Sequence, residues 1–363
     1  MHRYTVGFDK FADYLRGVDD GVAKTADWAA AICDVPAASL RDLAMQMATH
    51  RTMLSLSWSL TRQAHGEQPF WAGVVLAAML GQIGLPGGGF GLGYSAVNTV
   101  GNHIQRLPVA AVPQGKNDVE TFIPVARIAD MLLHPGDEFD YDGGRYRYPD
   151  IKMIYWAGGN PFHHHQDLTR LLAGWRKPDT IIAHEWCWNA LAKHADIVLP
   201  CTTSLERTDI AMSPMDNYFV SMQAAIAPVG DARDDFEIFR GIAARMGAEN
   251  AFTEGRSAED WQRWLYDVTK QASAEQGHEL PSYDAFRKDG WFKLPPPATA
   301  HVMFADFRAD PVANPLATPS GKIEIFSQAI AGFDYDDCAP HPCWFEPPEW
   351  LGSPDRGSRL HLL

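Results

Sequence analysis

Several clusters in this sequence combine residue types that could hold a ligand. Gly158-Gly159-Asn160-Pro161 offers two glycines that let a ligand approach the backbone closely, and an amide that both donates and accepts hydrogen bonds. Pro161 fixes the exit toward whatever follows. Glu185 stands 25 residues beyond Asn160. In dinucleotide-binding sheets an acid about 20 residues after the glycines accepts hydrogen bonds from ribose hydroxyls. An ordinary strand-to-helix turn explains the first cluster more readily than a site does, a solvated loop acid explains Glu185 equally well, and the sequence leaves both readings open. A further cluster, Trp58-Ser59-Leu60-Thr61-Arg62 with Gln63, His65, Gly66, Glu67 and Gln68, places an aromatic, a fork-shaped donor and amides past an apolar run. Arg62 could grip a pyrophosphate through two parallel hydrogen bonds. The alternative is a polar helix entry with Glu67 in its first turn.

Other patterns argue against particular chemistries. His163-His164-His165 are consecutive, so their imidazoles point in different directions and cannot all face one ion. Cys338 and Cys343 flank His341, but no second ligand pair follows at zinc-site spacing. No metal ligand is therefore assigned. The run Gly87-Gly88-Gly89-Phe90-Gly91-Leu92-Gly93 has no G-x-G-x-x-G register, and Ala96 completes only the looser variant ending in alanine. It follows a helix pattern and reads as a tight packing loop, which weakens a nicotinamide dehydrogenase reading. Without a G-x-S-x-G, H-E-x-x-H or P-loop pattern, no catalytic residue is singled out.

The elements that must position these clusters follow from periodicity. Up to about residue 133 the chain reads as helical. Residues 19–31 are alanine-rich, and 36–47 have a proline start with Leu40, Leu43 and Ala44 on one face. Residues 52–57 suit a buried strand. Trp71, Val74, Val75, Ala78 and Met79 follow helical spacing, with Gly84 and Pro86 as the stop. Residues 136–150 turn to Asp, Gly and Tyr, a boundary or exposed hairpin. Strands are then expected at 151–157, 180–183 and 196–199, separated by helices, which implies a parallel sheet. Further helices are expected at 235–246 and 258–271, with strand-like 322–326 and an opening strand at 359–363. The segments expected are 1–135, 136–150, 151–290 and a proline-rich 291–363.

Bulk composition limits the partners. Of 363 residues 46% are hydrophobic and 21% charged, a globular balance long enough for two domains. The net charge of -14 argues against a nucleic-acid binder, because phosphate contact needs clustered basic residues. Five scattered cysteines do not make a disulfide framework. No run is long and apolar enough for a membrane span, since residues 73–85 are broken by Gly81, Gln82 and Gly84. Residues 1–10 lack a secretory layout. The compartment is left open, with the cytoplasm slightly favoured over the periplasm.

Taken in order, these segments resemble one family. Ser57-Trp58-Ser59-Leu60-Thr61-Arg62-Gln63, Gly84-Leu85-Pro86-Gly87-Gly88-Gly89 and Trp156-Ala157-Gly158-Gly159-Asn160-Pro161-Phe162-His163-His164-His165 look like the dimethyl sulfoxide reductase family of molybdenum oxidoreductases. So do His194-Ala195-Asp196-Ile197-Val198-Leu199-Pro200, Ser204-Leu205-Glu206-Arg207 and Thr318-Pro319-Ser320-Gly321-Lys322-Ile323-Glu324-Ile325. The S- and N-oxide reductases are the nearest branch, and residues 342–352 lean toward its biotin or methionine sulfoxide type.

The resemblance implies an α/β fold, with portions of two parallel-sheet (Rossmann-like) nucleotide-binding domains of a larger multidomain molybdoenzyme. It implies a molybdenum bis(molybdopterin guanine dinucleotide) cofactor, an S-oxide or N-oxide substrate, and an electron-donor protein or reduced nicotinamide. Carried over by motif, Trp58, Ser59 and Arg62 would line one arm of the cofactor. Gly159, Asn160 and His164 would contact the other, with His184 and Glu185 at its guanosine end and Arg207 and Asp235 completing that pocket. The serine that binds molybdenum in this family, and a further cofactor domain, have no counterpart in these residues. An internal segment, inactive alone, is the expectation. The rival expectation is a nucleotide-binding module without redox activity.

Overall fold

The computed structural model describes residues 2–92, 105–213, 217–348 and 350. Gly93, Ala96, Glu349, Leu351, Gly352 and the strand expected at 359–363 lie outside them. The chain divides into two compact units, Met1–Ile104 with Pro297–Leu363, and Gln105–Pro296. These boundaries differ from the expected segments for two reasons. Ile128–Leu133 is a helix whose Leu132 is buried with Leu171 and Trp175, so this stretch joins the second unit. The short strand Ile323–Glu324 pairs in parallel with Thr5–Val6, which ties the late prolines back to the first unit.

In the first unit, helix Glu67–Met79 carries Val75, Ala77 and Ala78 into the core, as the helical spacing predicts. It stops earlier than expected. Gly81 turns left-handed at φ 69° and donates its N–H to the Ala78 carbonyl, closing the helix three residues before Gly84. Strand Met53–Leu56 pairs in parallel with Gly89–Leu92. Two expectations change here. Part of the glycine run is strand, not packing loop, because pairing with a neighbour overrides the weak strand preference of glycine. Met53–Leu56 is also not fully buried, since its residues alternate between exposed and half-buried. Residues 19–31 form a helix only from Ala26 onward, where Thr25 accepts a hydrogen bond from the Trp28 N–H. Helix Ala37–Thr49 buries no side chain at all, so the Leu40, Leu43 and Ala44 face is not core.

The second unit holds the parallel sheet. Strands Met153–Ala157, Thr180–Glu185 and Ile197–Pro200 lie in that order, all parallel, in register Ala157 to His184 and Glu185 to Pro200. Period-two alternation sends Ile154 and Trp156 to one face with Ile181 and Ala183, where Phe162, Leu171, Trp175 and Leu191 cover them. Asp167 caps helix Leu168–Trp175 and Asn189 caps helix Ala190–Lys193, so both crossovers begin at fixed points. Asp196 accepts the Ile181 N–H at 2.8 Å, pinning the start of the central strand. The 136–150 segment is a hairpin, Glu138–Tyr141 with Gly144–Arg147, turning at Asp142-Gly143 with both φ positive. A second, antiparallel sheet joins Asp209–Met212, Tyr218–Met222 and Trp291–Lys293, with Phe219, Tyr266, Tyr283 and Phe286 as its core. The fold is thus mixed α/β with small parallel and antiparallel sheets. Among the described residues no helix is long and apolar enough to cross a membrane.

Leu171 is fully buried in the layer under the parallel sheet, whereas Leu43 is 48% exposed. Leu171→Ala is expected to cost about 2–5 kcal/mol through lost burial and a residual cavity. Leu43→Ala is expected to stay within about 0.5 kcal/mol. Urea midpoints of the two variants check this, and equal shifts would contradict the assigned core.

Candidate functional site

The three parallel strands end at one edge, and the polar residues collect just beyond their carboxyl ends. After Ala157 the chain turns through Gly158 and Gly159, with φ of 84° and 73°. Side chains other than glycine adopt these values at a cost. A Cβ placed on either glycine would meet nothing within 4 Å, so the backbone here faces open space. Asn160 is buried and caps the short helix Pro161–His164, its Oδ1 accepting the Phe162 N–H at 3.0 Å. The structural role weighed from the sequence is therefore present. Its Nδ2 has no partner among the described residues, which leaves the donor half of the amide free. His163 and His164 are exposed, while His165 is half-buried, and burial followed by the nearby His164 lowers its pKa.

The next exit carries His184 and Glu185. Alternation puts Tyr155 and His184 on the face opposite Trp175, under the ring of Phe239 from helix Asp235–Arg245. His184 has a side-chain exposure of 1%. Its Nε2 lies 2.7 Å from the Tyr155 hydroxyl and its Nδ1 lies 2.7 Å from Asp235 Oδ1, so neither ring nitrogen is free. Burial, reinforced by the Asp235 charge, pushes the Tyr155 phenol up. Glu185 is also buried, yet no described residue hydrogen-bonds its carboxylate. Burial pushes the Cys201 thiol at the third exit up to about 11, and the charges of Asp235 and Glu185 add to the effect. Those three groups therefore share one edge.

Beyond Ile197–Pro200, Glu206 folds the following loop. Its Oε2 accepts the N–H and hydroxyl of Thr203, and its Oε1 accepts the Val229 N–H at 2.7 Å. The Thr203 backbone N–H first, then its hydroxyl and the Val229 N–H, hold the Glu206 carboxyl below its ordinary value. Arg207 donates to the Thr202 carbonyl at 3.0 Å and keeps part of its guanidinium unengaged, with Asp209 3.6 Å away. The Thr202 hydroxyl is buried and has no partner among the described residues.

Trp58, Ser59 and Arg62 belong to the first unit, in the tight turn Trp58–Arg62 that follows strand Met53–Leu56. Ser57 accepts the Ser59 N–H and pairs with its hydroxyl at 2.8 Å. Gly66 backs this turn so closely that a Cβ would come within 2.3 Å of the Leu60 carbonyl oxygen. Trp58 is 49% exposed, and Arg62 is exposed with no partner among the described residues. Gln68 is taken up structurally, its Oε1 accepting the Cys343 N–H. No group of three or more metal-ligating side chains stands together among the described residues.

The sequence reading picked out His184, Glu185 and Asp235 but missed Tyr155, Phe239 and Thr202. A signal existed for Tyr155. It shares a strand face with Ala157, and the parallel register sets Ala157 beside His184.

A family model described as molybdopterin oxidoreductase matches residues 22–245, and the chain belongs to that family. It is 46% identical to a biotin sulfoxide reductase from Cereibacter sphaeroides, over 100% of this chain and 49% of that protein. It is 45% identical to a dimethyl sulfoxide/trimethylamine N-oxide reductase of the same organism, over 100% of this chain and 46% of the relative. A trimethylamine-N-oxide reductase from Haemophilus influenzae is 44% identical over 97% of this chain and 45% of its own. The chain spans about half the length of the curated relatives it matches. Among solved structures, acetylene hydratase from Pelobacter acetylenicus matches 55% of this chain and 24% of its own at 22% identity. Its TM-score of 0.37 is too slight a likeness to carry an argument.

Two expectations follow from the electrostatics. The Glu206 carboxyl is lowered in the fold, so its stabilisation is present above the ordinary value of 4.5 and is lost as pH falls below it. Glu206→Gln should remove that part of the acid limb, read as a smaller drop in thermal midpoint between neutral and acidic pH. Cys33 and Cys187 are exposed, while Cys201 is half-buried with a raised pKa. Iodoacetamide at pH 8 should therefore label Cys187 and Cys33 well before Cys201 in mass spectra, since the thiolate is the reacting species. Comparable labelling at Cys201 would contradict the buried thiol.

Proposed function

We propose that the chain is part of an oxidoreductase that reduces S-oxides or N-oxides with a molybdenum bis(molybdopterin guanine dinucleotide) cofactor. The observation that carries this reading is the edge of the parallel sheet. It combines an open, left-handed Gly158-Gly159 turn with the free amide donor of Asn160 and a Glu185 carboxylate that no described residue hydrogen-bonds. Left unpaired by the protein, that carboxylate can accept hydrogen bonds from a ligand.

The donor set fits one guanosine phosphate arm of the cofactor. Backbone N–H groups near Gly159, the Asn160 amide and the exposed His164 suit phosphate oxygens, while Glu185 and Asp235 suit the hydroxyl and N–H donors of a ribose or guanine. Arg207, partly engaged by Thr202, retains donors for the same arm. In the first unit, Trp58, Ser59 and the unpaired Arg62 at a second parallel strand exit would hold the other arm. Both units then act as Rossmann-like nucleotide-binding domains. When bound, the cofactor supplies a metal centre that takes an oxygen atom from the substrate, with two electrons coming from an electron-donor protein or reduced nicotinamide. The chain's own residues bind and orient it; the redox chemistry is the cofactor's.

Asn160→Asp keeps the acceptor that caps Pro161–His164 but removes the free donor, which separates the two roles. Expressed from the full reading frame in a host that makes the cofactor, Asn160→Asp and Arg62→Ala are expected to keep their thermal midpoints. Both should purify with clearly less molybdenum and guanine per mole. Unchanged loading in both variants would remove the binding assignment.

A further inference from the structure

The family motifs would place His184 against the nucleotide, but its surroundings argue otherwise. The imidazole has 1% side-chain exposure and sits between Tyr155, Asp235 and the ring of Phe239, 4.9 Å from its centroid. Both ring nitrogens are taken at 2.7 Å. A ligand reaching this ring would have to displace one of those bonds and the Phe239 packing. Asp235, in contrast, is 46% exposed in its side chain and uses only Oδ1, with Oδ2 unpartnered among the described residues.

The donors can be ordered. The carboxylate of Asp235 only accepts, so the proton between it and His184 is carried on Nδ1. The Tyr155 hydroxyl can donate to Nε2 or accept from it, so this contact anchors the far side of the ring in either case. Donation from His184 to Asp235 is thus fixed, while Tyr155 holds the opposite ring nitrogen. A carboxylate held this way loses rotational freedom without losing its second oxygen. Phe239 is four residues after Asp235 on the same helix, so the residue that covers the histidine and the residue it holds move together.

We infer that His184 is a positioning residue and not a ligand contact: locked by Tyr155, it fixes Asp235 so that the second carboxylate oxygen is presented to the N–H donors of a guanine base. The inference rests on the nucleotide reading of this sheet edge. It assigns to Asp235 the direct contact and to Tyr155 and His184 the buried support.

The test uses the complete protein purified without cofactor, with GMP as the probe in calorimetry. An Asn side chain at 184 reproduces the Nδ1 donor toward Asp235, whereas a Gln side chain reproduces the Nε2 position toward Tyr155. His184→Asn is expected to bind GMP more tightly than His184→Gln by about tenfold, the scale of one hydrogen bond to a charged group. Asp235→Ala is expected to weaken GMP at least as much as His184→Gln. Equal weakening in His184→Asn and His184→Gln, with Asp235→Ala also weakened, would overturn the positioning role alone. GMP affinity unchanged in Asp235→Ala would overturn the nucleotide reading of this edge and the inference with it. Nitrogen-15 spectra of the imidazole provide a readout that does not depend on nucleotide. They are expected to show Nδ1 protonated and hydrogen-bonded, and Tyr155→Phe to loosen that bond. A ring carrying its proton on Nε2 alone would overturn the positioning contact.

Discussion

The parallel pairing of Met153–Ala157, Thr180–Glu185 and Ile197–Pro200 is the constraint from which the second unit's chemistry follows. Parallel strands cannot be joined by a tight hairpin, so each return needs a helix, and each helix needs an apolar face to lie on the sheet. Leu171 and Trp175 meet that need on one face, against Ile181 and Ala183. Phe239 lies over the other, against Tyr155 and His184. With both faces covered, the polar groups are left to the carboxyl ends of the strands. There a residue's position is set by its distance in sequence from the last rung of the ladder. Asn160 is three residues past Ala157, and Glu185 is the last residue of its strand, paired with Pro200. Their placement does not depend on the flexible parts of any loop.

The same reasoning explains what was legible in the sequence. The apolar runs at 151–157, 180–183 and 196–199 are strands because branched and aromatic residues bounded by turns have few other uses, and their spacing forces parallel order. Helix Asp235–Arg245 and helix Ala258–Glu275 announce themselves through their caps, Asp234 and the Ser257–Asp260 box. The antiparallel sheet was not legible. Tyr218 pairs with Lys293 across a long stretch of chain, and nothing local in either segment specifies the other. Gly89–Leu92 was missed for a related reason, because glycine carries no strand preference until Met53–Leu56 supplies a partner. Helix Ala37–Thr49 shows the reverse error. Its periodicity is real, but periodicity reports an apolar face and not what that face lies against.

The site residues were legible in type and in their place at the strand exits. Asn160 and Glu185 stood out by chemistry and spacing. The sequence could not decide between cap and ligand at Asn160; in the structure Oδ1 serves the helix, and Nδ2 has no partner among the described residues, so the cap does not exclude a ligand. His184 was harder. Its partners lie 29 and 51 residues away, and only folding shows that both ring nitrogens are used. A histidine next to an acid at a strand end looks like a contact in one dimension. In three dimensions both of its ring nitrogens are taken by Tyr155 and Asp235.

Charge orders the edge further on the proposed reading. The chain carries -14 overall, and this edge adds Glu185 and Asp235 within reach of one thiol. A phosphate set beside those two carboxylates would meet repulsion that salt screens poorly at close range. The phosphate end of a nucleotide arm must therefore lie toward Gly158-Gly159, where backbone N–H groups face open space and no acid has been placed by the register. The base and ribose, which bring donors, fall toward Glu185 and Asp235. The orientation of the arm thus follows from the sign of the charge at each strand exit, and those exits are set by the ladder of the parallel sheet.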